Sequence, residues 1–325
     1  MNKSVKYPCR MKAISPTSLY TFETDPTAFV LNYVMRAPRP AQLKVMSIGS
    51  AFDARVKAYL TAELCGGNEQ ELFTQLFEDS VESHNREWVF DRSKEVFDWY
   101  KQAGALADLV IELTGFQEEP RFEFSVNRTI MEKAIHTESA TIAIPLTGKP
   151  DCYFVNNEGA KVIIDWKVNG YCSKASPVAG YVRCRDLTGF NSGPHKGITS
   201  IRHKGMDIGI GVPLKQLWND QLIIYSWMLG DGDVSFDPDE WILGIDQLAC
   251  NLKHKKPEKR MRVAAFRLGR DTAAARTIWE RLTRMWSAVQ RGHYFINLSE
   301  DESQHRTETI MAGGKDVAWM LGRNV

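Results

Sequence analysis

The stretch GKPDCYFVNNEGAKVIIDWKVNGY, residues 148–171, decides how the chain is read. In VIIDWKV, residues 162–168, side chains alternate across an extended strand, so Val162, Ile164, Trp166 and Val168 share one face and Ile163, Asp165 and Lys167 the other. The first face is wholly apolar. The second ends in a carboxylate and an ammonium, a costly pair on a strand flanked by hydrophobes unless it has partners or work. Asn156-Asn157-Glu158-Gly159 is a tight-turn sequence; it folds the strand at 153–155 back on this one and brings Asp151 to the same end. Two carboxylates and a lysine therefore converge. Such all-oxygen donors, with a backbone carbonyl and water, suit Mg²⁺ or Mn²⁺ and fit zinc poorly. Lys167, two residues beyond Asp165, is placed to orient an attacking water and to offset charge on a phosphate. An Asp-x-Lys triplet alone is weak, because chance supplies one in most chains, usually as a surface pair.

Outward from this hairpin, the apolar period changes at Pro120. The stretches 121–130, 140–146, 153–155 and 161–168 are short and rich in β-branched or aromatic residues, which predicts an antiparallel meander. Glu123 on the first strand is a further candidate for the metal, although an edge-strand salt bridge is the simpler reading. Upstream, Ser15 caps a helix opened by Pro16, with apolar spacing through Leu19, Phe22, Phe29 and Tyr33 around a break at Pro26; Pro38 and Pro40 end it. A second helix is predicted over about 48–60, with Phe52, Val56, Tyr59 and Leu60 on its buried side and Gly66-Gly67 closing it. Helical spacing resumes from Leu72 to Leu113. Downstream, residues 169–213 are rich in Gly, Ser, Pro and basic residues; a connection this long reads as a functional loop. A helix follows with Leu214, Leu217, Trp218, Gln221, Ile224, Tyr225 and Met228 on one stripe. Strands are predicted at 240–248 and 260–268, joined by the basic segment NLKHKKPEKR, and Asp271 caps a helix that runs to Arg291-Gly292.

With 325 residues, 43% hydrophobic and 25% charged, the composition is that of a globular protein and excludes collagen, coiled coil and wholesale disorder. No run approaches the ~20 apolar residues of a membrane span, and the first twenty residues lack a signal-peptide core. A soluble, cytoplasmic protein without a membrane partner is expected. Six cysteines without a CxxC pair read as reduced, mostly buried thiols, and seven histidines without HxxxH or HExxH pairing give no zinc hydrolase. There is no P-loop. The net charge is +1, yet residues 62–119 hold fourteen acids against four Lys/Arg, while 167–215 hold eight Lys/Arg against two acids and 251–276 nine against two. Such segregation suits a protein with one face on a polyanion; clustered solvated faces explain it equally well.

These residues resemble the PD-(D/E)xK nuclease superfamily, and within it the RecB-type exonuclease group. Pro150-Asp151, then Asp165-Trp166-Lys167 after thirteen intervening residues, is similar to the signature motif. Gln221 and Tyr225 match a Gln-x-x-x-Tyr element, and the stretches 14–34 and 47–60 resemble the opening helix and the Gly-x-x-x-His helix of the group. Asp53 stands where the group has His, four residues after Gly49; it is either a third metal ligand or a helix-surface carboxylate. Only Cys250 follows the Gln-x-x-x-Tyr helix, against an iron–sulfur cluster. The resemblance implies an α/β, restriction-endonuclease-like core with a central mixed sheet flanked by helices. It places a helical region at 1–119, the core at 120–295 and a polar tail at 296–325. It implies hydrolysis of DNA phosphodiesters with Mg²⁺ or Mn²⁺ held by Asp151, Asp165 and Asp53, and with Lys167 positioning water. Gln221, Tyr225, Lys253, Lys255 and Lys256 are the candidates for contact with DNA, although Tyr225 on an apolar stripe reads equally as a core residue with a bonded hydroxyl. A recombination or replication protein is a further possible partner. The alternative is a nuclease fold that grips DNA or such a partner without cutting.

Overall fold

A computed structural model describes residues 11–34, 41–132, 142–169, 200–203, 206–209, 216–232, 234, 241–250, 255 and 261–292. The hairpin read from the sequence is present as β4 (Cys152–Val155) and β5 (Lys161–Asn169), paired antiparallel with Cys152 opposite Ile164. Asn156 makes the turn: its backbone pairs with Ala160, its side-chain oxygen accepts from Glu158 and Ala160, and Gly159 takes a φ of 81°.

The predicted meander is corrected in one respect. The stretch 121–130 is two strands: β1 (Glu118–Phe122) pairs with β4, whereas β2 (Val126–Met131) leaves to form a separate two-stranded ribbon with β3 (Ala143–Gly148). The break falls at Glu123, the one described non-glycine residue with positive φ, at 47°. A second addition lies within 169–213, where β6 (Ser200–His203) and β7 (Met206–Gly209) form a hairpin. With β8 (Trp241–Cys250) and β9 (Met261–Gly269) they complete a seven-stranded mixed sheet of order β1-β4-β5-β8-β9-β7-β6. β5 and β8 run parallel, so the chain must cross over between them; the crossover carries α7 (Gln216–Leu229).

Alternation along the central strands divides the core. One face buries Tyr153, Ile163, Leu243, Ile245 and Phe266 under α1 (Pro16–Thr24), α2 (Pro26–Phe29), α7, α8 (Thr272–Arg291) and the β2–β3 ribbon. The opposite face buries Phe154, Val162, Ile164, Trp166 and Val263 under α3 (Lys44–Cys65), α4 (Glu69–Ser80), α5 (Ser83–Gln102) and α6 (Ala105–Thr114). The caps follow the sequence: Ser15 and Ser18 form a capping box, Asp271 caps α8, and Gly292 ends it at φ 67°. Helix α2 continues into a π-helical turn at Val30–Val34. The second predicted helix begins a turn earlier than expected, at Lys44, with Phe52, Val56 and Leu60 buried as expected. Cys65 is exposed while Cys152 and Cys250 are buried, and none of the three is in a disulfide. No described helix is long and apolar enough to cross a membrane. Pro38, Pro40, Leu214, Lys253, Lys256 and the predicted tail at 296–325 lie outside the described residues.

Candidate active site

The register of the β4–β5 hairpin assembles the first half of the site. Because Cys152 faces Ile164, the preceding Asp151 stands beside Asp165 and Trp166, and its Oδ2 accepts the backbone N–H of Trp166 at 3.2 Å. Asp165 is 2% exposed and is ion-paired to Lys167, its neighbour on the same strand face. Helix α7 covers that face. Gln221 donates from Nε2 to Asp165 Oδ1 at 3.3 Å and accepts from Lys167 Nζ at 3.4 Å, so one amide holds both signature side chains. The same Nε2 donates to the Tyr225 hydroxyl at 3.2 Å, which in turn donates to the Lys149 carbonyl at 3.2 Å. Gly148 allows this: a Cβ there would lie 2.5 Å from the Tyr225 ring.

The second half comes from α3 and the β1–β2 break. Asp53 and Lys57 are one helical turn apart and so lie on one side of α3. Lys57 is 2% exposed, and its Nζ lies 2.5 Å from Asp53, 3.0 Å from Asp151 and against Glu123. The left-handed backbone at Glu123 interrupts the strand, and the Glu123 carboxylate reaches this cluster. Carboxylate oxygens of Asp53, Glu123 and Asp151 lie within 4.8 Å of one another. Asp165 stands outside that group of three and is joined to it through Asp151.

Burial and charge set the protonation of these groups. Burial, then the Asp151 carboxylate, pushes Asp53 up to about 7. Burial would raise Asp151 too, but Lys57, a hydrogen bond from Asp165, and Lys167 bring it down to about 2. Asp165 is held well above the usual carboxylate range by burial and by Asp151, so the carboxylates divide into one kept ionised and two favouring a proton. Burial would lower both lysines, but the surrounding carboxylates raise them, and both stay charged.

The donor set fits a hard divalent cation. It is all oxygen, and Asp53 Oδ1 is buried without a hydrogen-bond partner among the described residues. Of the residues predicted from sequence, Asp53, Asp151, Asp165, Lys167 and Gln221 come together here. Tyr225, 6% exposed, sits in the core behind Gln221, and Lys255 is exposed. The sequence reading missed Lys57. The available signal was a lysine one turn after Asp53, next to Val56 on a helix read as buried.

A family model described as the PD-(D/E)XK nuclease superfamily matches residues 13–179, just over half of the 325 residues. The chain belongs to that superfamily. In this PD-(D/E)XK protein the match runs through the helices of one sheet face as well as the signature strands. No curated protein matches the sequence. A solved structure described as "Crystal structure of SSO0001" is similar over 83% of this chain and 84% of that one, at 12% identity and a TM-score of 0.25, too loose a superposition to carry an argument.

Proposed function

We propose that the chain is a metal-dependent DNA nuclease, an exonuclease of the RecB type acting in recombination, repair or phage DNA processing. The observation that carries the reading is the single amide of Gln221 bonded to both Asp165 and Lys167. It fixes a carboxylate suited to a cation against an ammonium suited to water, as phosphodiester hydrolysis requires. When bound, Mg²⁺ or Mn²⁺ would supply Lewis acidity towards the phosphate and the leaving oxygen; Asp151 and Asp165 would hold it, with Asp53 and Glu123 beside them. Lys167 orients the attacking water and offsets charge developing on the phosphate. Gln221 keeps Lys167 aimed, and Tyr225 keeps Gln221 from rotating. A groove of about 690 Å³ beside Gly148 and Lys149, lined also by Lys12, Asn32, Tyr33 and Asn127, supports an approach for a phosphate backbone.

The test is incubation with end-labelled linear and closed circular DNA in Mg²⁺, Mn²⁺ or EDTA. Cation-dependent loss of linear DNA with the circle intact is expected, and Lys167→Ala should abolish it while DNA affinity persists, because the amine acts on the transition state. Cutting of the circle would make the protein an endonuclease. No cleavage in either cation would favour the second reading, a nuclease fold that grips DNA without cutting, which the ammonium of Lys57 among the carboxylates favours.

A further inference from the structure

We propose that Lys57 is a fixed internal cation that stands in for a second metal ion, so that the site takes one divalent ion per chain. This rests on the nuclease reading of the site and adds a stoichiometry to it. Four carboxylates meet here, Asp53, Glu123, Asp151 and Asp165, and two ammonium groups, Lys57 and Lys167. With all four carboxylates ionised, as a bound cation would hold them, two negative charges are left over. One divalent ion balances them, whereas a second would leave this partly buried site, with Asp165 and Lys57 each only 2% exposed, carrying net positive charge, which poor solvation penalises.

The two lysines are not equivalent. Lys167 lies at the strand end, its side chain 23% exposed, against one carboxylate and the Gln221 amide. Lys57 is 2% exposed, touches three carboxylates from three separate segments, and has its ammonium 5.9 Å from the centre of the Trp166 ring. Its stem leaves α3 between Val56 and Ala58, both fully buried. An incoming ion could expel this ammonium only by leaving it charged inside the core or by moving α3, and both are costly. Asp53 Oδ1, buried and free of hydrogen bonds among the described residues, is an oxygen that Lys57 leaves unused. Lys57 is thus a positioning residue: it gathers Asp53, Glu123 and Asp151 before any ion arrives and sets how many ions they accept.

The experiment is Mn²⁺ titration of the whole chain without DNA, with free Mn²⁺ followed by electron paramagnetic resonance, on wild type and on Lys57→Met. One ion per chain is expected for wild type and two for Lys57→Met. Two ions in wild type, or one ion of unchanged affinity in Lys57→Met, would overturn the proposal. Should Lys57→Met not fold, Mn²⁺-soaked crystals of wild type decide by anomalous scattering. A single peak with Lys57 still against Asp53 and Asp151 supports it; a peak in place of the Lys57 ammonium, or two peaks, refutes it. The readout is independent of cleavage. A chain that binds one ion beside Lys57 and never cuts DNA sinks only the nuclease reading, and one that cuts with two ions sinks only the role of Lys57.

Discussion

Gly148 and Tyr225 show how little room the site has at the scale of single residues. Gly148→Ala would drive a methyl group to 2.5 Å from a ring that is 6% exposed, so ring or strand must shift. Overpacking of this kind costs about 1–3 kcal/mol. Because Gln221 leans on the Tyr225 hydroxyl, cleavage should also fall, by about ten- to a hundredfold. In a Tyr225→Ala background the same substitution should add little, and additive losses in that double-mutant cycle would refute the link. Protonation gives a second prediction. Asp53, raised from 3.8 to about 7, binds its proton more tightly in the folded chain, so its contribution to stability is present below 3.8 and lost as pH rises through about 7. Asp151, lowered to about 2, has the opposite sign: its contribution is present above 3.8 and lost only as pH falls towards 2. The metal-free melting temperature should therefore decline between pH 3.8 and about 7, and Asp53→Asn should reduce that slope, with Asp165 supplying the remainder. A variant with the wild-type slope would show that Asp53 titrates normally.

Among the elements, α8 is tied to the N-terminal helix by one arginine. Arg281 makes a two-pronged contact with Glu23 at the end of α1, Nε to Oε1 at 2.7 Å, and reaches Asp220 on α7 at 2.6 Å. Asp220 is nine-tenths buried and Glu23 about one-third exposed, so the two halves of this clasp differ in worth. Arg281→Ala should destabilise by about 3 kcal/mol in urea melts, because it strands the buried Asp220 carboxylate. Glu23→Ala should cost about 1 kcal/mol or less. Equal losses would mean that the two carboxylates contribute alike. The same scale shows where sequence pattern was sufficient. The β4–β5 hairpin was legible because a period of two and the tight-turn sequence from Asn156 to Gly159 are local features. The split between β1 and β2 was not, because it depends on Glu123 adopting a left-handed backbone to meet Lys57, sixty-six residues away.

For the whole molecule, the sheet separates two cores, and the site lies where the two layers meet at the end of β5. A polar chain ties α5 and α6 to the sheet: the buried Tyr100 hydroxyl on α5 donates to the buried Asp246 on β8, which binds Arg267 on β9 at 2.7 Å, and Arg267 reaches Glu112 on α6 at 3.2 Å. Charge at this scale gives a prediction about DNA. Replacing Lys253, Lys255 and Lys256 by Gln should weaken binding to all sequences alike and flatten its salt dependence, by about one unit of slope for each phosphate that is no longer neutralised. An unchanged slope in filter-binding titrations would place that segment away from the DNA.

The sequence by itself determined the signature hairpin and the helix behind it: alternation placed Asp165 and Lys167 on one strand face, the turn brought Asp151 back beside them, and helical spacing put Gln221 and Tyr225 on one stripe. Each of these follows from a period or a turn spanning a few residues. Only the tertiary structure decided that Lys57 is a cation held by three carboxylates, that Glu123 belongs to them, and that Tyr225 lies in the core with its hydroxyl against Gln221 and the Lys149 carbonyl. Those roles depend on segments far apart in the chain meeting at a sheet end, and on burial that makes an unpaired charge too costly to leave; neither is written in local spacing.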